Sequence, residues 1–198
     1  ENLYKNSEIY KNRNEFYTEY IKKLPIEYET TLKIIEQVSK SRNENCYLVG
    51  GIVRDLLLNI ANYDLDIVVE GNAIAFGKEL IKHVEYNKII EHEQFRTCVI
   101  VLKSGLKIDI ASSRIEYYEY PTSLPTVEFG NIKEDLYRRD FTINSMAIKL
   151  SQGEFGKLLD YYGGYKDLRD NKIRILHNLS FIEDPTRVIR AIRFAVRY

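Results

Sequence analysis

The chain has 198 residues and no net charge at neutral pH; 44% of its residues are hydrophobic and 29% are charged. This length allows one domain with a sizeable core, or one domain and part of a second. The composition is that of an ordinary globular protein, and no apolar stretch approaches the roughly 18 residues that a membrane helix needs. Zero net charge argues against a uniformly basic surface that coats nucleic acid, but it allows a local basic face.

The N-terminus and the cysteines indicate the compartment. The first twelve residues, ENLYKNSEIYKN, are polar and lack an apolar core, so no signal peptide is predicted. Cys46 and Cys98 each lie alone in an apolar run, as small buried hydrophobes do in a reducing compartment. We therefore expect a cytoplasmic protein.

The first half of the chain alternates helices and strands. In residues 1–45, which are predicted to be an N-terminal helical extension, Leu32, Ile35 and Val38 recur at helical spacing. The elements predicted next are a strand at 46–51, a helix at 52–60, a strand at 63–71, a helix at 73–84, and two strands joined by a turn at 103–105.

The second half is less regular. The segment 116–131 contains two prolines and is predicted to be a loop, and 133–150 begins as a helix and becomes a strand near Ala147. A strand pair is predicted around Gly163–Gly164. From Phe181 to the last residue the pattern is helical, with Asp184 as N-cap and Pro185 in the first turn. Because the chain ends within this helix without a capping signal, we expect it to be a fragment of a longer protein.

Two aspartates lie one residue apart in YDLDIVVEG. Side chains alternate along a strand, so Asp64 and Asp66 point to the same face. Two adjacent carboxylates raise each other's pKa unless a cation neutralises them, and Mg²⁺ prefers such oxygen ligands. Asp109, in LKIDIAS, is the candidate for a third carboxylate on a neighbouring strand. The combination predicts a two-metal site; an isolated pair of aspartates could equally serve to solubilise the start of a strand.

A glycine pair closes the first predicted strand and opens the following helix. The free N–H groups at Gly50 and Gly51 can hold a phosphate, and Arg54, one turn later, can pair with it. The alternative is a tight strand-to-helix turn without a ligand.

The last thirteen residues contain four arginines and no acid. Arg187, Arg190 and Arg193 recur every third residue and share one broad helix face. Since close arginines repel each other, an anion is their expected partner. The opposite side of the helix is apolar and predicted to pack: Val188, Ile192 and Ala195.

Four segments stand in a recognisable order: LVGGIVRDLLL, YDLDIVVEG, LYRRDFTINSMAIKL and EDPTRVIRAIRFAVRY. Together they closely resemble the class II tRNA nucleotidyltransferase and bacterial poly(A) polymerase family. The resemblance implies an α+β fold: a polymerase-beta-like head with a mixed sheet flanked by helices at 46–176, and the start of an all-α neck at 177–198. It implies template-independent, Mg²⁺-dependent transfer of AMP or CMP from the triphosphate to the 3′ end of tRNA.

The same resemblance implies roles for individual residues. Asp64, Asp66 and Asp109 resemble the catalytic metal ligands. The residues that it assigns to nucleotide binding are Gly50, Gly51, Arg54, Asp55, Arg139, Asp140, Asn144, Asp184, Arg187, Arg190 and Arg193. Within this set, Arg139 and Asp140 resemble the pair that meets the ribose.

Three interpretations stay open on the sequence alone. The first is an enzyme that adds A, CC or CCA to tRNA; a finer resemblance points to the subgroup whose N-terminus often has CBS and DHH-type domains. The second is a poly(A) polymerase for general RNA. The third is a nucleotide- or RNA-binding module without turnover, against which the intact carboxylates argue. In the family the choice between CTP and ATP rests on a neck motif beyond Tyr198.

Overall fold

The computed structural model describes residues 20–62, 64–117, 126–151 and 153–198. Its strands are β1 Cys46–Val49, β2 Leu65–Val69, β3 Tyr86–His92, β4 Thr97–Leu102, β5 Lys107–Ser112, β6 Arg114–Tyr117, β7 Thr126–Phe129, β8 Ala147–Lys149 and β9 Leu158–Leu159. Its helices are α1 Ile26–Arg42, α2 Gly51–Leu57, α3 Ala73–Leu80, α4 Ile132–Tyr137, α5 Gly164–Arg169, α6 Ser180–Glu183 and α7 Thr186–Arg197. Short 3₁₀ turns lie at Glu93–Phe95 and Thr142–Asn144.

Seven strands form a mixed sheet in the order β3-β4-β5-β2-β1-β8-β9, and β6 pairs with β7 in a separate antiparallel ribbon. Among the described strands of the large sheet, only β2 and β5 run parallel. Their register sets Asp66 opposite Asp109. Residues directly opposite each other on one face of a sheet are within side-chain reach, so this pairing brings the two carboxylates together.

The hydrophobic pattern explains how the sheet is covered. In β4 and β5 every second side chain is buried, whereas β1 is buried along its whole length. On one face α1 buries Leu32, Ile35 and Val38 in the main core. On the other face Ile132 and Leu136 of α4 form a smaller cluster with residues of β1, β2 and β8. The sheet is therefore covered on one face by the main core and on the other, over β1, β2 and β8, by α4.

Most predicted elements are confirmed. The helix around Leu32 is α1, the strand before the glycine pair is β1, and the two strands about 103–105 are β4 and β5, which pair as a hairpin. Cys46 and Cys98 are buried free thiols, as predicted. The α+β class with a mixed sheet flanked by helices is also confirmed. The division of the chain at residues 45 and 176 stays a prediction.

Three local predictions are wrong. The segment 116–131 is not all loop, because β7 pairs with β6 in register; its two prolines lie outside the described residues. Gly163–Gly164 does not join two strands: β9 ends before it, and α5 begins at Gly164. The C-terminal helix is interrupted at Asp184, whose backbone is extended between α6 and α7.

Two further features escaped the sequence analysis. The strand β3 was not predicted, because most of its side chains are exposed and its polar residues hide the pattern. The face of α7 that was expected to pack is exposed, with Val188 at 45% and Ile192 at 62% of full exposure.

Among the described residues, no helix combines the length and apolarity needed to cross a bilayer.

We predict that Gly164→Ala destabilises the fold. A Cβ at Gly164 would lie 2.1 Å from the backbone oxygen of Thr142, which cannot move without disturbing the 3₁₀ turn. Overpacking of this kind costs about 1–3 kcal/mol of unfolding free energy, measurable by urea denaturation. Gly153→Ala is the matched control, because open space surrounds Gly153 and only its φ of 83° is unfavourable. Equal losses in the two variants would contradict the packing explanation.

Candidate active site

Asp66 and Asp109 form the centre of the site. Asp66 lies in β2 opposite Asp109 in β5, and Asp64 immediately precedes β2 with an exposed side chain. Burial raises the pKa of Asp66 to about 6, and the negative charges of Asp109 and Asp64 add to this effect. A carboxyl whose pKa is raised by its acidic neighbours gains stability when a cation approaches.

Two basic side chains partly neutralise these acids. Lys107 Nζ lies 2.7 Å from Asp109 Oδ2, and this bond raises the pKa of Lys107. The charge of Arg139 works to lower the pKa of Asp66. A Cβ built on Gly50 would lie 3.1 Å from Asp66 Oδ2 and 3.5 Å from Arg139 Nη1, so this backbone passes close to both side chains. Gly50 has φ 79°, a conformation that favours glycine.

The residues present fit a hard divalent cation by chemistry rather than by a ready-made cage. Asp66 and Asp109 share a register position, and Asp64 is close enough for its charge to raise the pKa of Asp66. Within the described residues, however, no three potential ligands are already gathered into a cluster. Mg²⁺ commonly uses one or two protein carboxylates and takes its remaining ligands from water and phosphates, so a pair of acids suffices to begin such a site.

The Arg54 side chain, on α2, is buried and lines a cavity. It donates to both oxygens of Asp55, at 2.8 and 3.0 Å, and through Nη1 to Asn144 Oδ1 at 2.5 Å. The rings of Phe194 and Tyr198 lie within 5.3 and 4.8 Å of its guanidinium carbon. These contacts fix the orientation of Arg54 and thereby reduce the entropy lost on binding an anion.

Asp55 lies behind Arg54. Its side chain is completely buried and also accepts hydrogen bonds from Asn62 at 2.7 Å and from the Tyr198 hydroxyl at 2.8 Å. Burial works to raise its pKa, but these bonds and the Arg54 charge hold the pKa below its usual value. A buried carboxylate with these hydrogen bonds is suited to orienting Arg54. Direct contact between Asp55 and a nucleotide stays a prediction.

Asp140 connects the head to the C-terminal helix. Its Oδ1 accepts from the backbone N–H of Phe141 and from Asn144 Nδ2, at 2.8 and 2.9 Å. Its Oδ2 accepts from Arg190 Nε and Nη2, at 2.9 and 2.5 Å. Asn144 therefore links Asp140 to Arg54, and the whole chain of bonds extends from α7 to α2.

The three arginines of α7 are not equivalent. Arg187 is buried and donates to Ser180 Oγ and to the backbone oxygen of Arg138, at 2.6 and 3.0 Å. Arg190 binds Asp140, whereas Arg193 has no hydrogen-bond or ion-pair partner among the residues the structure describes. Asp184 caps the helix by accepting from the backbone N–H of Thr186 at 3.0 Å. Arg193 is consequently the arginine of this face that is most available to a ligand.

These side chains enclose one cavity of about 610 Å³. Every residue assigned to the site from the sequence lines it, except Asp55, which lies behind Arg54, and Asp109. Its lining contains six arginines and four aspartates. The residues that line it without having been predicted are Asn62, Phe194 and Arg197. A cavity with this charge distribution fits a polyphosphate whose cation is held by the acids.

Three contributing residues escaped the sequence analysis. Lys107 precedes Asp109 by two positions on the same strand face, and Asp135 precedes Arg139 by four positions on one helix face, so both had a local signal. Tyr198 lies 143 positions from Asp55 in the chain and had none.

The chain is similar in sequence to known proteins over most of its length. The sequence profile of the poly(A) polymerase head domain matches residues 46–174. An A-adding tRNA nucleotidyltransferase of Geobacter sulfurreducens is 56% identical over 151 residues, which are 76% of this chain and 17% of that protein. One of Halalkalibacterium halodurans is 44% identical over 167 residues, 84% of this chain and 39% of that protein. The chain therefore spans less than half the length of these relatives.

Solved structures agree with the sequence relatives. A CCA-adding enzyme in an apo form has a TM-score of 0.87 at 45% identity, covering 91% of this chain and 43% of the other. The Thermotoga maritima CCA-adding enzyme in complex with tRNA has a TM-score of 0.80 at 43% identity, covering 91% and 40%. A CCA-adding enzyme in complex with ATP has a TM-score of 0.79 at 45% identity, covering 89% and 39%.

We predict that Asp66→Asn stabilises the metal-free chain at pH 7.5. The unfolded carboxyl has a pKa near 3.9, whereas the folded one titrates at about 6, so the stability that this group contributes is present below pH 4 and is lost as the pH rises through 6. The side-chain amide of the variant does not ionise, so the variant avoids this loss of unfolding free energy, which is about 1–3 kcal/mol. Urea denaturation in EDTA should show a gain at pH 7.5 that shrinks at pH 4.5. A gain that is equal at both pH values would contradict the explanation.

Proposed function

Since the chain belongs to the poly(A) polymerase head domain family, we propose that it is the catalytic part of a tRNA nucleotidyltransferase. In this proposal it transfers AMP or CMP from the triphosphate to the 3′ hydroxyl of tRNA without a template, with Mg²⁺ as cofactor. The single observation that supports it most is the pairing of Asp66 with Asp109 beside a cavity that six arginines line. Terminal A addition is the favoured specificity, because the two sequence relatives from Geobacter and Halalkalibacterium are A-adding enzymes.

The proposed chemistry assigns a task to each group of residues. Asp64, Asp66 and Asp109 would hold Mg²⁺, which when bound would activate the 3′ hydroxyl and stabilise the leaving pyrophosphate. Arg54 and Arg193 bind the triphosphate, and Arg139 faces the nucleotide from beside Asp66. In the reaction the 3′ oxygen forms a bond to the α-phosphorus, the bond to the β-phosphate oxygen breaks, and the hydroxyl proton is lost to solvent.

Solved neighbours support the ligands proposed here. One CCA-adding enzyme was solved with tRNA, and others with ATP and with CTP. The fold of this chain matches each of them over most of its length. A tRNA substrate would place the protein in the cytoplasm, in agreement with the expectation from its sequence.

The proposal is tested with the full-length protein and three tRNA substrates, which end before CCA, after one C and after CC. Each receives CTP or ATP with Mg²⁺. We expect A to be added to the CC-ended tRNA; addition of C would instead mean a CC- or CCA-adding enzyme. Long A tails on unrelated RNA would replace the proposal with a poly(A) polymerase. Nucleotide binding without any transfer would leave only the binding module.

We predict that Asp66→Asn and Asp109→Asn each lower kcat about a thousandfold, because either change removes a carboxylate from the cation site. Single-turnover transfer to tRNA measures the effect. Asp170→Asn is the matched control, since Asp170 pairs with surface cations away from the cavity and its loss should leave kcat unchanged. Full activity in either site variant would show that the carboxylates do not hold the catalytic cation.

A further inference from the structure

Asp135 is a buried acid to which no role was assigned. Its side chain on α4 is completely buried. Oδ1 accepts from Arg138 Nε and Nη2 at 3.1 and 2.8 Å, and Oδ2 accepts from Arg139 Nη2 at 3.1 Å. Burial acts to raise its pKa, but the two guanidinium groups hold the pKa below its ordinary value. Asp135 is therefore ionised at neutral pH and binds two consecutive arginines at once.

Arg139, the arginine nearer to Asp66, has hydrogen-bond partners for only some of its side-chain N–H groups. Asp135 holds Arg139 through Nη2, whereas Nε is buried and has no hydrogen-bond partner among the described residues. Nη1 lies on the side of Gly50 and Asp66, 3.5 Å from where a Cβ of Gly50 would be. Arg139 lines the cavity, so Nη1 is the group that it presents to a ligand there.

The surrounding helix fixes the position of Asp135. Asn131 and Glu134 form a capping box that defines the start of α4, and the Ile132 and Leu136 side chains anchor it on the sheet. The spacing of three and four residues brings Arg138 and Arg139 back over Asp135 on one helix face. The backbone oxygen of Arg138 additionally accepts from Arg187, which ties the same turn to α7.

We propose that Asp135 is a positioning residue for nucleotide binding: it holds Nη2 of Arg139 so that Nη1 faces the incoming nucleoside triphosphate. Asp135 does not touch the nucleotide. It acts through the orientation of Arg139, whose side chain would otherwise be drawn to Asp66 by charge. This inference rests on the proposed function, since it takes the cavity to be the triphosphate site.

The test measures kinetics and binding in the full-length protein. Asp135→Asn keeps the shape of the side chain but loses the charge that holds two arginines. We expect KM for ATP and the Kd for ATP to rise about tenfold, while KM for tRNA stays within twofold. The double variant D135N/R139A should bind ATP as R139A does, because Asp135 acts only through Arg139.

Asp167→Asn is the matched control for the loss of a buried acid. Asp167 is 1% exposed and accepts from Thr142 and Arg174, outside the cavity. It should lower the thermal stability without changing the Kd for ATP. If Asp135→Asn fails to fold, D135N/R138M also removes one of the two arginines that Asp135 binds and carries the same prediction.

Two results would overturn the inference. One is an unchanged Kd for ATP in Asp135→Asn; the other is a loss in D135N/R139A equal to the product of the two single losses. Direct titration of ATP gives these answers even if the protein transfers no nucleotide to RNA. Failure of this inference is therefore distinguishable from failure of the proposed function, in which all variants would share zero transfer.

Discussion

The parallel pairing of β2 with β5 is the constraint on which the rest of the site depends. It sets Asp66 opposite Asp109 in a partly buried position, where burial and, after it, the repulsion from Asp109 raise the pKa of Asp66 to about 6. The nearby basic side chains compensate for this repulsion in part: Lys107 binds Asp109, and Arg139 acts on Asp66 from the other side. Two carboxylates that repel each other are stabilised when a cation binds beside them. A fold can therefore bind Mg²⁺ without a preformed set of ligands.

A second set of contacts joins the head to the C-terminal helix. Arg190 binds Asp140, Arg187 binds the backbone of Arg138, and Tyr198 binds Asp55. Each contact joins α7 to a residue in the cavity lining or beside it. A shift of α7 would therefore displace the side chains of Arg54 and Arg139 together. The proposed nucleotide site is thus shared between both parts of the chain, and the positions of its arginines depend on the packing of α7.

The sequence predicted the parts of this fold that depend on local pattern. Periodicity located α1, β4 and β5, and the segment YDLDIVVEG identified Asp64 and Asp66, which both line the cavity. The same reasoning failed where the signal was not local. The exposed strand β3 has no apolar alternation to detect, β7 pairs with β6 across a segment with two prolines, and Gly163–Gly164 begins a helix because α5 packs against the 3₁₀ turn at Thr142.

The central claim is that Asp66 and Asp109 hold the catalytic cation. Anomalous diffraction from crystals of the protein grown with Mn²⁺ and a non-reactive ATP analogue tests it most directly. The account predicts a manganese peak about 2.1 Å from carboxylate oxygens of both residues, with triphosphate density against the arginine wall. Manganese bound elsewhere, or a triphosphate ordered in the cavity with no metal at these two carboxylates, would contradict it.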